Sequence, residues 1–187
     1  MFKPGSPNLN RPLPRTFLWA CRQREVTLTR CVLIVSVLRQ QLSVWEADRA
    51  RTLQPRRVYV ASTSHFGTGQ QSGSNQTPLG LHAIAEKVGT GLPIGTVFES
   101  RQPVGLTWKG QPDAAIAHRI LWLRGLEPGL NEGGAVDSRA RYIYIHGLGN
   151  EPSLGRPASR GCIHLAAADL MPLYDRVPTG TLVWIAP

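Results

Sequence analysis

The chain has 187 residues and a mass of 20.5 kDa, which suits one compact domain with a sizeable core. Apolar residues make up 42% and charged residues 18%, and no uncharged apolar run approaches the ~20 residues of a membrane-spanning helix. The 19 glycines and 15 prolines argue against a helical bundle; three cysteines cannot form a disulfide framework, and the lack of a CxxC pair argues against structural zinc.

The positive charge is concentrated at the front. Residues 1–30 carry Lys3, Arg11, Arg15, Arg22, Arg24 and Arg30 against Glu25, so more than half of the net +9 sits in a Pro-rich arm without periodicity. This predicts a solvated, disordered arm over residues 1–29 and a folded domain over 30–187. Such an arm suits an anionic membrane or an acidic polymer; no basic patch interleaved with aromatics supports nucleic acid. Thr16–Cys21 is too short an apolar core for a secretory signal and runs into Arg22 and Arg24, so no signal peptide is expected.

From Cys31 onward the chain reads as β-structure. Cys31–Leu38 and Gln40–Trp45 predict a hairpin, and Arg57–Ser62 alternates as a further strand. Thr63–Pro78 is a loop of turn-formers, including Gly67, Gly69, Gly73 and Asn75. Strand-length segments follow at His82–Val88, Ile94–Phe98, His118–Leu123 and Arg141–His146. Ala167–Arg176 is the one helical stretch, with Leu170, Leu173, Tyr174 and Val177 at helical spacing. Asp169 suits a cap or first-turn acid there, and Pro172 is tolerable only at a helix start. Thr181–Ile185 closes the chain as a last strand. The predicted fold is a mainly-β sandwich or barrel with one short helix near the C-terminus.

Chemistry gathers in two segments. In Arg141–Gly147 (RYIYIHG) a period of two would place Tyr142, Tyr144 and His146 on one face, with Gly147 letting the backbone turn. Further on comes Ser159–Leu165 (SRGCIHL), where a cysteine follows a glycine ahead of the predicted helix. Backbone N–H groups near Gly161 and Cys162 could hold an oxyanion, and a helix N-terminus or an imidazolium would keep the thiol ionised. These residues suit a Cys–His nucleophile pair for acyl transfer, Cys162 with His146. Two other readings share the pattern: a small buried thiol beside a surface histidine, or zinc held by His146, Cys162 and His164, for which no fourth ligand suggests itself.

The same residues resemble the YkuD-type L,D-transpeptidases, cysteine-dependent cell-wall enzymes built on a β-sandwich. The shared marks are His146-Gly147 after a strand and Ser159-Arg160-Gly161-Cys162 after a loop. A Gln-Gln-Leu turn before Val58-Tyr-Val-Ala-Ser-Thr63, the Thr77-Pro-Leu-Gly80 loop and the closing segment Leu173–Thr181 are similar as well, so the likeness runs from about Cys31 to Ile185. It implies a YkuD-like β-sandwich with one short helix after the catalytic cysteine. It also implies that Cys162 attacks a peptidoglycan tetrapeptide stem, releases D-alanine and passes the acyl group to an amine, giving a 3→3 cross-link. His146 would be general base and acid, Gly147 and Gly161 would orient ring and oxyanion, and Ser159 would shape the turn.

The resemblance implies no metal or organic cofactor, and a location in the periplasm or cell envelope. The partners it implies are peptidoglycan stem peptides and, as an alternative acceptor, a wall-attached protein. The family pattern usually has His before the Gly and Arg two residues after the Cys, whereas this chain has Arg160 and His164, and Ala167 where an Asn is common. Arg160, with His164 and Tyr144, is therefore expected to serve substrate binding. An L,D-carboxypeptidase or endopeptidase on the same fold, or a non-catalytic wall-binding module, remains an alternative at this stage.

Overall fold

A computed structural model describes residues 12–187; the front of the predicted arm, residues 1–11, lies outside the described residues. The strands are β1 (Cys31–Ser36), β2 (Gln41–Ala47), β3 (Leu53–Ser62), β4 (Gly80–Val88), β5 (Thr96–Glu99) and β6 (Gln102–Leu106). They continue as β7 (Ala117–Gly125), β8 (Tyr144–Gly147), β9 (Ile163–Leu165) and β10 (Leu182–Ala186). Helix α1 (Arg15–Gln23) precedes them and α2 (Ala167–Arg176) lies between β9 and β10.

Hydrogen bonding orders the strands β4-β10-β1-β2-β3-β9-β8-β7, and an added β4–β7 pairing joins the two ends. The sandwich is therefore closed into a circuit of eight strands, with the β5–β6 hairpin attached to β7. Alternate residues point inward: Leu33 and Val35 of β1, Leu42 and Val44 of β2, and Ile143, Ile145, Ile163 and Leu165 join one core. Leu170, Leu173 and Tyr174 of α2 complete it, each at most 1% exposed. Burial of these three side chains outweighs the local cost of Pro172, which stands inside the helix and not at its start as the sequence suggested. Asp169 is a first-turn acid, and Glu151 Oε1 caps the helix by accepting the Ala167 N–H at 2.6 Å.

The disordered arm is corrected over residues 15–23. Val32 and Ile34, on the outer face of β1, are buried like their inward neighbours, and α1 packs against them. Its Phe17, Ala20 and Cys21 pack there with Leu81, Leu182 and Trp184. Leu13, Phe17 and Ala20 form a stripe at helical spacing, so the helix is amphipathic in spite of its flanking prolines and arginines.

Candidate active site

Strands β8 and β9 run parallel, with Ile145 opposite Ile163 and His146 opposite His164. Ile145 and Ile163 point into the core, so the alternate residues face the other way. Continuing the register one pair outward sets Cys162 beside Tyr144. Tyr144, His146, Cys162 and His164 thus share one side of the sheet, as two segments distant in sequence required. The Tyr142 ring also lies near them, 6.5 Å from that of Tyr144, but from outside the strand. The Tyr142 φ of 57° is left-handed and the strand begins only at Tyr144, leaving the Tyr142 ring 53% exposed.

The histidine is held by its own neighbour. His146 Nδ1 donates to the Gly147 carbonyl at 2.9 Å, which fixes the tautomer and leaves Nε2 as the basic nitrogen. Gly147 is required by space: a Cβ there would stand 2.6 Å from His118 Cδ2 and 3.0 Å from the Ala117 carbonyl. His118 has a left-handed φ of 71° in an irregular stretch of β7 and was not expected to matter. Its Nδ1 accepts the Gly95 N–H at 2.8 Å, and its Nε2 donates to the Leu148 carbonyl at 2.9 Å, so the turn after His146 is pinned from β7.

The thiol is turned towards β8. Cys162 Sγ donates to the Tyr142 carbonyl and accepts the Tyr144 N–H, each at 3.4 Å; no hydrogen bond joins it to His146. Burial pushes the thiol up to about 11, with the Tyr144 N–H and the Arg141 guanidinium opposing. Burial also pushes His146 down to about 4 and, aided by His146 itself, His164 down to about 3. The resting pair is a neutral thiol beside a neutral imidazole. This corrects the expected thiolate, and the reason is topological: Cys162 leads into strand β9, so no helix N-terminus faces it.

Of the remaining expected residues, Ser159 shapes the turn. Its buried hydroxyl donates to the Cys162 carbonyl at 2.6 Å and accepts the Gly161 N–H at 3.2 Å, so that N–H is already committed. Gly161 has a left-handed φ of 119° and is gripped by Thr77, whose hydroxyl donates to its carbonyl at 3.0 Å. The His164 ring lies 4.7 Å from that of His146, and its buried Nδ1 has no partner among the described residues. Tyr144 is buried and its Oη receives a hydrogen bond from Arg101 at 3.3 Å, from the tip of the β5–β6 hairpin. Arg160 is exposed and makes no hydrogen bond or ion pair with a described residue. The guanidinium whose charge favours the thiolate is that of Arg141, which the sequence had marked only as the start of a strand.

The YkuD family profile, described as the L,D-transpeptidase catalytic domain, matches residues 31–185. The chain belongs to this family. Over 43 residues, 23% of the chain, it is 46% identical to the L,D-transpeptidase YkuD of Bacillus licheniformis, covering 26% of that protein. The fold is similar to that of Bdellovibrio bacteriovorus Bd1075, with a TM-score of 0.53 and 18% identity over 84% of this chain and 48% of that one. It is also similar to LdtMt1 solved in complex with imipenem, with a TM-score of 0.50, 17% identity and coverage of 84% and 59%. The YkuD chain described here thus spans about half the length of these solved relatives.

Proposed function

We propose that this YkuD domain is a peptidoglycan L,D-transpeptidase working through a Cys162 acyl-enzyme. The supporting observation is that one face of β8 and β9 carries both Cys162 and a histidine whose Nδ1 is tied to Gly147, leaving Nε2 free to take a proton. Sγ turns from the Tyr142 carbonyl and attacks the carbonyl between the L-centre of the diamino acid and the terminal D-alanine, while its proton passes to His146 Nε2. Because thiol and imidazole rest in their neutral forms, proton transfer accompanies C–S bond formation. The imidazolium returns the proton to the departing D-alanine nitrogen, leaving a thioester. An acceptor amine, from a second stem or a wall-attached protein, attacks the thioester; His146 takes its proton and restores the thiol. Arg160 reaches this reaction only through substrate bound at the exposed rim, and the working place is the cell envelope, where such stems lie.

Incubation with purified tetrapeptide muropeptides, read by mass, tests the reading. The expected products are free D-alanine and a 3→3 dimer, both lost in Cys162→Ala, while His146→Ala slows turnover by roughly 10²–10⁴. A tripeptide without dimer would assign an L,D-carboxypeptidase instead, and unchanged activity in Cys162→Ala would overturn the proposal. LdtMt1 was solved with imipenem, so the same carbapenem is expected to add its mass to the peptide containing Cys162 and not to those of Cys21 or Cys31.

A further inference from the structure

Arg141 stands at the end of the β7–β8 connection with its guanidinium wedged into the loop formed by residues 69–76. Nη1 donates to the Gly69 and Gln70 carbonyls at 3.2 and 2.8 Å, and Nη2 to the Gln76 carbonyl at 2.7 Å and Ser74 Oγ at 3.5 Å. Every one of these acceptors is neutral. The two ion pairs among the described residues, Arg139–Glu86 and Arg176–Glu46, leave Arg141 out. It is therefore a half-buried cation whose charge no carboxylate balances.

That charge borders the nucleophile on two sides. The Gln76 carbonyl that receives Nη2 also lies 3.3 Å from where a Cβ on Gly161 would stand. The carbonyl of the next residue, Tyr142, is the one that accepts the thiol proton. We propose that Arg141 is a positioning residue of this site: its unpaired guanidinium favours the thiolate that forms when Cys162 gives up its proton, and its fork holds residues 69–76 against Gly161. This deepens the reading of Cys162 as the nucleophile and rests on it. Burial costs the guanidinium some of its own affinity for a proton, and proximity to Cys162 returns part of it, the reciprocal of its effect on the thiol. The other ionisable groups around the thiol are the two β8 side chains Tyr144 and His146, His164 on β9, and Arg101, which reaches over from the β5–β6 hairpin to Tyr144. Burial holds both histidines neutral at working pH, which leaves two permanent charges, Arg101 on the Tyr144 hydroxyl and Arg141, and of these it is Arg141 that acts on the thiol.

The test reads alkylation of Cys162 by iodoacetamide against pH, following the Cys162 peptide by mass so that Cys21 and Cys31 do not interfere. In Arg141→Gln the midpoint is expected to rise by about one pH unit, with a roughly tenfold slower reaction at pH 8. Arg141→Lys keeps the charge but not the fork, so its midpoint stays near that of the unaltered protein while turnover of stems falls. Arg160→Gln should leave the midpoint in place, since that exposed side chain makes no contact with the site's described residues. Equal midpoints in all variants, or the same displacement in Lys and Gln, would overturn the proposal. The unaltered protein gives a reading independent of how the variants fold. Anionic iodoacetate should label Cys162 several-fold faster relative to iodoacetamide than it labels free cysteine, and salt should erase the difference; a ratio equal to that of free cysteine also overturns it. Alkylation needs no turnover, so it stays informative even if no stem is cross-linked, which would count against the proposed function alone.

Discussion

Gly147 shows how narrowly the imidazole is held. Its carbonyl receives His146 Nδ1, and the space its side chain would fill is taken by His118 and the Ala117 carbonyl. In Gly147→Ala the new methyl must push that strand end outward and carry the acceptor carbonyl with it. Turnover of stems is expected to fall about a hundredfold, the usual effect of displacing a reacting group by an ångström. Alkylation of Cys162 by a small neutral reagent should stay within roughly threefold, since it needs no base at a fixed position. Steady-state kinetics beside alkylation rates separate the two effects, and turnover near the unaltered level would show that this carbonyl does not orient the ring. Cys162 and His146 were both legible as candidates because a glycine stands beside each, Gly161 for its left-handed φ and Gly147 for want of space. His118 and Arg141 were not legible, since each works by reaching another segment, His118 the Leu148 carbonyl and Arg141 the carbonyls of residues 69–76.

Helix α1 is the element whose sequence misleads most. Four arginines and two prolines within residues 12–30 suggest a solvated arm, yet Phe17 is fully buried against Trp184 with ring centroids 6.1 Å apart. The informative signal lies in β1. Residues 32–35 are apolar on both faces, and a two-faced apolar strand demands cover on each side. Phe17→Ala is accordingly expected to cost about 3–5 kcal/mol in urea unfolding, the range for a buried aromatic truncated to alanine. A loss below about 1 kcal/mol would show that α1 adds little to the fold. Strand β6, the second arm of a hairpin whose first strand was expected at Ile94–Phe98, escaped notice for a different reason. Ser100 and Arg101 both take positive φ, 48° and 67°, without the glycine or asparagine that advertises such a turn. Similarly, the alternation of Tyr142, Tyr144 and His146 is genuine in sequence, but the chain reverses at Tyr142 before the strand begins.

For the molecule as a whole, buried neutral imidazoles set the response to acid. Burial holds His82 and His146 down to about 4 and His164 to about 3, and lowers His118 as well. Above about pH 6.5 these rings are neutral in the folded and unfolded chain alike, so their full contribution to stability is present. As the pH drops towards 4 the unfolded chain binds protons that the folded chain excludes, and that contribution is lost. Unfolding at pH 5 should therefore take up roughly three protons, visible as a steep fall of Tm below pH 6.5 in calorimetry; a flat Tm between pH 7 and 5 would contradict it. The β4–β7 pairing has a separate consequence. Every strand of the eight-membered ring has a partner on both sides over part of its length, but β3 meets β9 only at Ala61 and Ser62; among the described residues this leaves an open edge along residues 53–60 of β3, and another along β6. Pro103 interrupts the donors of the β6 edge. Beside Cys162 the edges are closed, since β8 lies between β7 and β9 and β9 between β8 and β3; on the proposed reading a stem peptide therefore meets this face through side chains and loop carbonyls and not as an added strand.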